Sequence, residues 1–202
     1  TSLEELDLPE YLKKIGTFAF EGCTSLSEIQ LPPLMRTIEH DAFNGCEALT
    51  SVTIQSVALE TIGDQAFMNC KALKEIVIPA GVTRIGGNAF SGCKALASIV
   101  LPSKLKTLMG GAFARTAITE VTIPDGCEEI LYGAFAHCKN LKTVTLPRSM
   151  QKMSDKAFGG CDALKTLIVT NPTPVVSNKK EDLAGLADLS AMSELTLVVP
   201  EG

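Results

Sequence analysis

Apolar positions recur along this chain with a period close to 23 residues. The pair Ala-Phe occurs seven times, with its Phe at positions 20, 43, 67, 90, 113, 135 and 158, so successive spacings run from 22 to 24. Six residues after the Phe sits Leu26, Leu49, Leu73, Leu96, Leu141 or Leu164. Nine after it sits Ile29, Val52, Ile76, Ile99, Val144 or Leu167, and eleven after it Leu31, Ile54, Ile78, Leu101, Leu146 or Val169. The Phe113 repeat is one residue short and supplies Ile118, Val121 and Ile123 instead. The spacing L-x-x-I-x-L ends in period-2 alternation, which predicts a short strand with its apolar side inward. Pro follows at 32, 79, 102, 124 and 147, where its missing N–H ends the strand.

A second extended segment leads into each Phe. Five residues before it stands Ile15, Ile38, Ile62, Ile85, Leu108, Ile130 or Met153, and Gly16, Gly63 and Gly86 suit a tight bend directly after. A fixed repeat of this length predicts a solenoid, in which each rung buries its apolar face only against its neighbours. The expected fold is therefore mostly strand and loop, with short parallel strands stacked rung on rung. A continuous outer sheet of eight strands would run roughly 35 Å. Residues 1–170 are expected to form the solenoid. It begins in mid-repeat, because Leu3, Leu6, Leu8 and Pro9 match the back half of a rung. With no cap visible at that end, a longer natural chain is expected. Asn171-Pro172-Thr173-Pro174 breaks the register. Residues 171–202 are expected to be a C-terminal cap, with helical turns over 179–192 and a last strand over 195–199, because a solenoid must cover its open end.

The repeat A-F-x-G-C-x-x-L-x-x-I-x-L-P-x-x-L-x-x-I-G resembles that of BspA-like leucine-rich repeat proteins. It covers residues 3–170, with departures at Gln55 and Thr170 (for Pro) and at Thr116 (for Cys). It lacks the asparagine of the better-known leucine-rich repeat; that site holds Leu34, Val57, Gly81, Lys104, Gly126 or Ser149. The resemblance implies a secreted or surface-attached bacterial protein that binds other proteins, host extracellular-matrix components among them.

Composition narrows the function classes. With 46% apolar and 20% charged residues the chain reads as folded rather than disordered. Net charge is −5 with scattered cations, which argues against a nucleic-acid footprint. No apolar run is long enough to span a bilayer as a helix.

Six of the seven cysteines form a column three residues after the Phe: Cys23, Cys46, Cys70, Cys93, Cys138 and Cys161. In-register side chains on strands ~4.8 Å apart leave Cβ atoms too far apart for disulfides. A linear column does not converge on a metal either. Buried thiols acting as small apolar groups are the expectation, for Cys127 as well. The Phe column is expected to be core. His137-Cys138 is the one pair that hints at a thiolate nucleophile, but a turn His beside a packing Cys fits better. No phosphate loop, Gly-x-Ser-x-Gly, dinucleotide fingerprint or His-Glu-x-x-His occurs, so a non-catalytic protein without cofactor is expected, as a monomer.

What remains is the outward side of the strands. One row is Glu28, Ser51, Glu75, Ser98, Glu120 and Thr143; the next is Gln30, Thr53, Val77, Val100, Thr122 and Thr145. This face, with adjacent exposed Val77 and Val100, is the candidate protein-binding surface. Lys13, Lys14, Arg36, Arg84, Lys106 and Lys152 fall on the other segment. Two further readings stay open: a structural spacer in a larger surface protein, and a glycan-binding surface using Tyr11, Phe18 or Tyr132, the aromatics outside the Phe column.

Overall fold

A computed structural model describes residues 3–4, 6–154, 156–170 and 196–198. The chain winds into a parallel β-solenoid of about seven turns, with no helix among the described residues. Short strands leading into the Ala-Phe turns are β1 (Lys14–Ile15), β3 (Thr37–Ile38), β5 (Thr61–Ile62), β7 (Arg84–Ile85), β8 (Thr107–Leu108), β10 (Glu129–Ile130) and β12 (Lys152–Met153). Strands following those turns are β2 (Glu28–Leu31), β4 (Ser51–Ile54), β6 (Glu75–Ile76), β9 (Glu120–Thr122), β11 (Thr143–Leu146), β13 (Thr166–Val169) and β14 (Thr196–Val198). Each strand pairs in parallel with its counterpart one repeat away, so equivalent residues face each other: Ile29 with Val52, Val52 with Ile76, Val144 with Leu167. The alternation read from the sequence is seen directly in β2, where Glu28 and Gln30 are exposed and Ile29 and Leu31 are buried.

The outer sheet is not continuous over eight strands. Ser98–Leu101 forms no strand, although Leu96, Ile99 and Leu101 keep the repeat pattern and are buried. The outer strands therefore split into a three-stranded sheet, β2-β4-β6, and a four-stranded one, β9-β11-β13-β14. The other side splits at the same place, into β1-β3-β5-β7 and β12-β10-β8. A hydrophobic period controls which side chains point inward. It does not hold neighbouring backbones within hydrogen-bond distance, so burial survives where the ladder does not.

The Ala-Phe turns do run without a break. Each ladder Phe amide donates to the alanine carbonyl of the next rung, at 2.8 Å in all six steps from Phe20–Ala42 to Phe135–Ala157. The rings stack with centroids 5.2–5.6 Å apart. Phe43, Phe67, Phe90, Phe113 and Phe135 are wholly buried, each contributing roughly 1.5–3 kcal/mol by area.

Two left-handed residues flank each Phe and let the turn close. Two residues before it φ is positive at Phe18, Asp41, Gln65, Asn88, Gly111, Gly133 and Lys156. Two after it φ is positive at Gly22, Gly45, Asn69, Gly92, Arg115, His137 and Gly160. The Gly of F-x-G-C is thus the residue that adopts this conformation without steric cost.

β14 lies within the segment expected as a last strand and pairs with β13 in register, Leu197 opposite Leu167. The expected helical turns over 179–192, and the rest of the capping segment 171–202, lie outside the described residues.

Candidate binding faces

The strands deliver the predicted face outward. Glu28, Gln30, Thr53, Glu75, Val77, Ser98, Val100, Glu120 and Thr122 are exposed, while Ser51, Thr143 and Thr145 are half-buried. The face does not act as one even surface. Glu28, Gln30, Ser51 and Thr53 join Glu4 and Asp7 around an acidic depression of 490 Å³. Ser98, Val100, Glu120, Thr122, Thr143 and Thr145 line a second depression of 600 Å³ that ends at Ile168. Glu75 and Val77 line neither. Val77 and Val100 are both 82% exposed, and Val100 lies on the stretch that joins no sheet.

Three of the six cations on the opposite side lie against carboxylates one rung away. Arg36 meets Glu60 and Arg84 meets Asp64, each at 2.8 Å, and Lys106 lies 3.8 Å from Glu128. Such exposed pairs add little stability, but they leave that side less free to bind an anion than its lysines and arginines alone would indicate.

The cysteine column is buried and holds free thiols. Its residues do more than fill space. Cys46, Cys70, Cys93, Cys138 and Cys161 each donate S–H to the Phe carbonyl of the preceding rung, at 3.1–3.2 Å. Most of those carbonyls also accept the amide of the Cys in their own rung, so the thiol fills the second lone pair. Thr116 fills the Cys place differently: its hydroxyl donates to Phe113 of its own rung at 2.9 Å and lies 3.2 Å from the Cys138 sulfur. Burial pushes the thiols of Cys46 and Cys93 up to about 12, and raises Cys70 and Cys127 as well. The second proton of the Cys138–Cys161 pair is held well above the usual thiol range, first by the hydrogen bond with Cys138 and then by burial.

His137 and Cys138 are not arranged as base and nucleophile. Cys138 is wholly buried and bonded to a carbonyl. His137 is an exposed turn residue at φ 61°, whose ring lies over Gly160 of the next rung. No group of three or more His, Cys, Asp or Glu side chains gathers as a metal site among the described residues. Nor, among them, is any helix long and apolar enough to cross a membrane. Tyr11 and Phe18 lie on the first rung and Tyr132 on the sixth, so these aromatics form no common platform; Phe18 packs edge-on against His40 at 5.5 Å.

One feature escaped the sequence reading. A groove of 740 Å³ runs across the turn face between the Phe90 and Phe158 rungs, lined by Arg115, Tyr132, His137 and Lys156 over glycine and alanine. Its centre is the short Phe113 rung, which also carries Arg where four rungs carry Gly, and Thr where the others carry Cys. Those coincident departures were the available signal.

A model of the BspA type leucine rich repeat region matches residues 1–109 and 60–179, in six copies. No curated protein matches the chain significantly. Among solved structures, a leucine-rich repeat protein of T. pallidum is 26% identical, with a TM-score of 0.58, over 96% of this chain and 85% of its own. One from Eubacterium ventriosum is 25% identical with a TM-score of 0.68, over 79% of this chain and 48% of its own. One from Bacteroides ovatus is 23% identical with a TM-score of 0.43, over 94% of this chain. The present chain spans 64% of the Bacteroides ovatus protein and about half of the Eubacterium ventriosum one.

Proposed function

Because this chain belongs to the BspA-type leucine-rich repeat family, we propose that it is a non-catalytic binding module of a bacterial surface or secreted protein. On this reading it recognises a protein partner through its strand face, as a monomer and without a cofactor. A host extracellular-matrix protein is the partner class that the family resemblance implies. The observation that carries the reading is the pair Val77 and Val100. Both are 82% exposed in one column, rimmed by Glu75, Ser98, Thr53 and Thr122. Apolar side chains held out of the core and ringed by polar ones fit a contact site.

The test is binding to immobilised fibronectin and fibrinogen, with the parent and a Val77→Glu/Val100→Glu double variant side by side. The variant should fold normally, since neither valine is in the core, and should lose binding. A folded variant that binds like the parent would remove the strand face from the proposal. A parent that binds neither protein at tens of micromolar would favour a spacer role and end the matrix-protein reading.

A further inference from the structure

Charges of both signs line the turn face, and several of them pair with each other: Lys71 with Glu47 and Lys139 with Asp162, each at 2.6 Å. Within the 740 Å³ groove, Arg115 and Lys156 form no ion pair among the described residues, and no carboxylate belongs to its described lining. Asp155, beside Lys156 in sequence, lies outside the described residues. Tyr132 stands 61% exposed in the same groove. The side-chain amide of Asn88, folded over Gly111, and the hydroxyl of Ser91 add polar groups.

The groove coincides with the repeat's largest irregularity. In other rungs two surface residues separate the Cys position from the following Leu, as Lys94-Ala95 do between Cys93 and Leu96. In the Phe113 rung only Ala117 separates Thr116 from Ile118, and the turn seen at 94–95 is absent. Arg115 and His137 occupy left-handed positions that Gly fills in four rungs. Neither Arg115 nor His137 is buried, so no packing gain offsets the backbone strain. Both still close the turn, with Arg115 N–H bonded to the Ala136 carbonyl and His137 N–H to the Gly159 carbonyl, so their side chains are the part of the departure that the turn does not require.

We propose that this groove is a second binding site, for a short acidic oligosaccharide. Arg115 and Lys156 would hold the carboxylate, Tyr132 would lie against a sugar ring, and Asn88 and Ser91 would bond hydroxyls. The groove spans three rung spacings, about 15 Å, which limits its occupant to a short oligosaccharide. Its described lining holds no apolar side chain larger than alanine except Tyr132, so it lacks the buried apolar anchor that a peptide interface needs.

The test is a titration of the whole chain, followed by amide chemical shifts, with hyaluronan tetrasaccharide, 3′-sialyllactose, neutral lactose and octaglutamate. At least one acidic sugar should bind and shift the Arg115, Tyr132 and His137 amides, with lactose about tenfold weaker. Arg115→Gly restores the residue that the repeat itself uses, so it should fold at least as well as the parent and still lose about tenfold in affinity. Tyr132→Ala should lose affinity too. The proposal is overturned if lactose binds equally, or if Arg115→Gly binds the acidic sugar unchanged. It is also overturned if only octaglutamate binds, or if no acidic sugar binds at about 10 mM.

Discussion

The two sides of each rung hold together differently. The Ala-Phe column repeats one hydrogen bond of 2.8 Å through every step, whereas both strand ladders stop around residues 98–108. Above and below that stretch the sheets are regular; across it the turn column runs unbroken, while the strand side keeps only scattered bonds such as Ala117 N–H to the Leu96 carbonyl and Thr119 N–H to the Ala97 carbonyl. The cohesion of this solenoid is therefore set by the Phe stack, the thiol-to-carbonyl bonds and the flanking left-handed residues. The strand face is freer to vary, which suits a surface that selects partners.

The largest effect that would sharpen this contrast comes from the middle of the stack. Phe90 is wholly buried between rings at 5.3 and 5.2 Å. Phe90→Ala should cost about 3–5 kcal/mol in a urea unfolding curve. Ile99→Ala, in the same rung but on the interrupted side, should cost distinctly less. Equal losses would break the comparison.

Alkaline pH should weaken the column next. Burial raises Cys46 and Cys93 from 9.0 to about 12, so between those values the unfolded chain ionises and the folded one does not. The thiols' contribution is complete below pH 9 and is lost as pH rises toward 12. The urea midpoint should fall over that range, and fall less in a Cys46→Ala/Cys93→Ala variant. The same burial should keep the native thiols unreactive to a disulfide reagent until the chain unfolds.

Gly160→Ala tests the flanking residues. Gly160 adopts φ 72°, and a Cβ there would lie 2.5 Å from His137 Nδ1. The left-handed backbone alone should cost about 1–2 kcal/mol, with the collision added. Repeating the substitution on a His137→Gly background should remove the collision part, as a double-mutant cycle would show. Smallest is Cys93→Ala at about 1 kcal/mol, for the lost bond to the Phe67 carbonyl.

Much of this was legible in the sequence. The period gave the rung count, and the Phe and Cys columns lie in the core where the spacing put them. The glycine that stands two residues after the Phe in four of the seven rungs was the available signal of a special turn position. The matching position two residues before was invisible, because Phe18, Asp41, Gln65, Asn88 and Lys156 share no side-chain chemistry. The break at Ser98–Leu101 was equally hidden: its side chains obey the pattern, and only the distance between backbones departs from it. The turn-face groove arises from residues on four rungs, so its chemistry emerges only when they are stacked. The strand-face residues were placed outward by alternation alone, which carries no information about the two depressions they line.

Native-state hydrogen exchange tests the central claim most directly. The amides of Phe67, Phe90 and Phe113 should exchange only with global unfolding, while those of Ser98, Ile99, Val100 and Leu101 exchange much faster. Protection at Ser98–Leu101 equal to that of the Phe amides, or early exchange along the Phe column, would contradict the account.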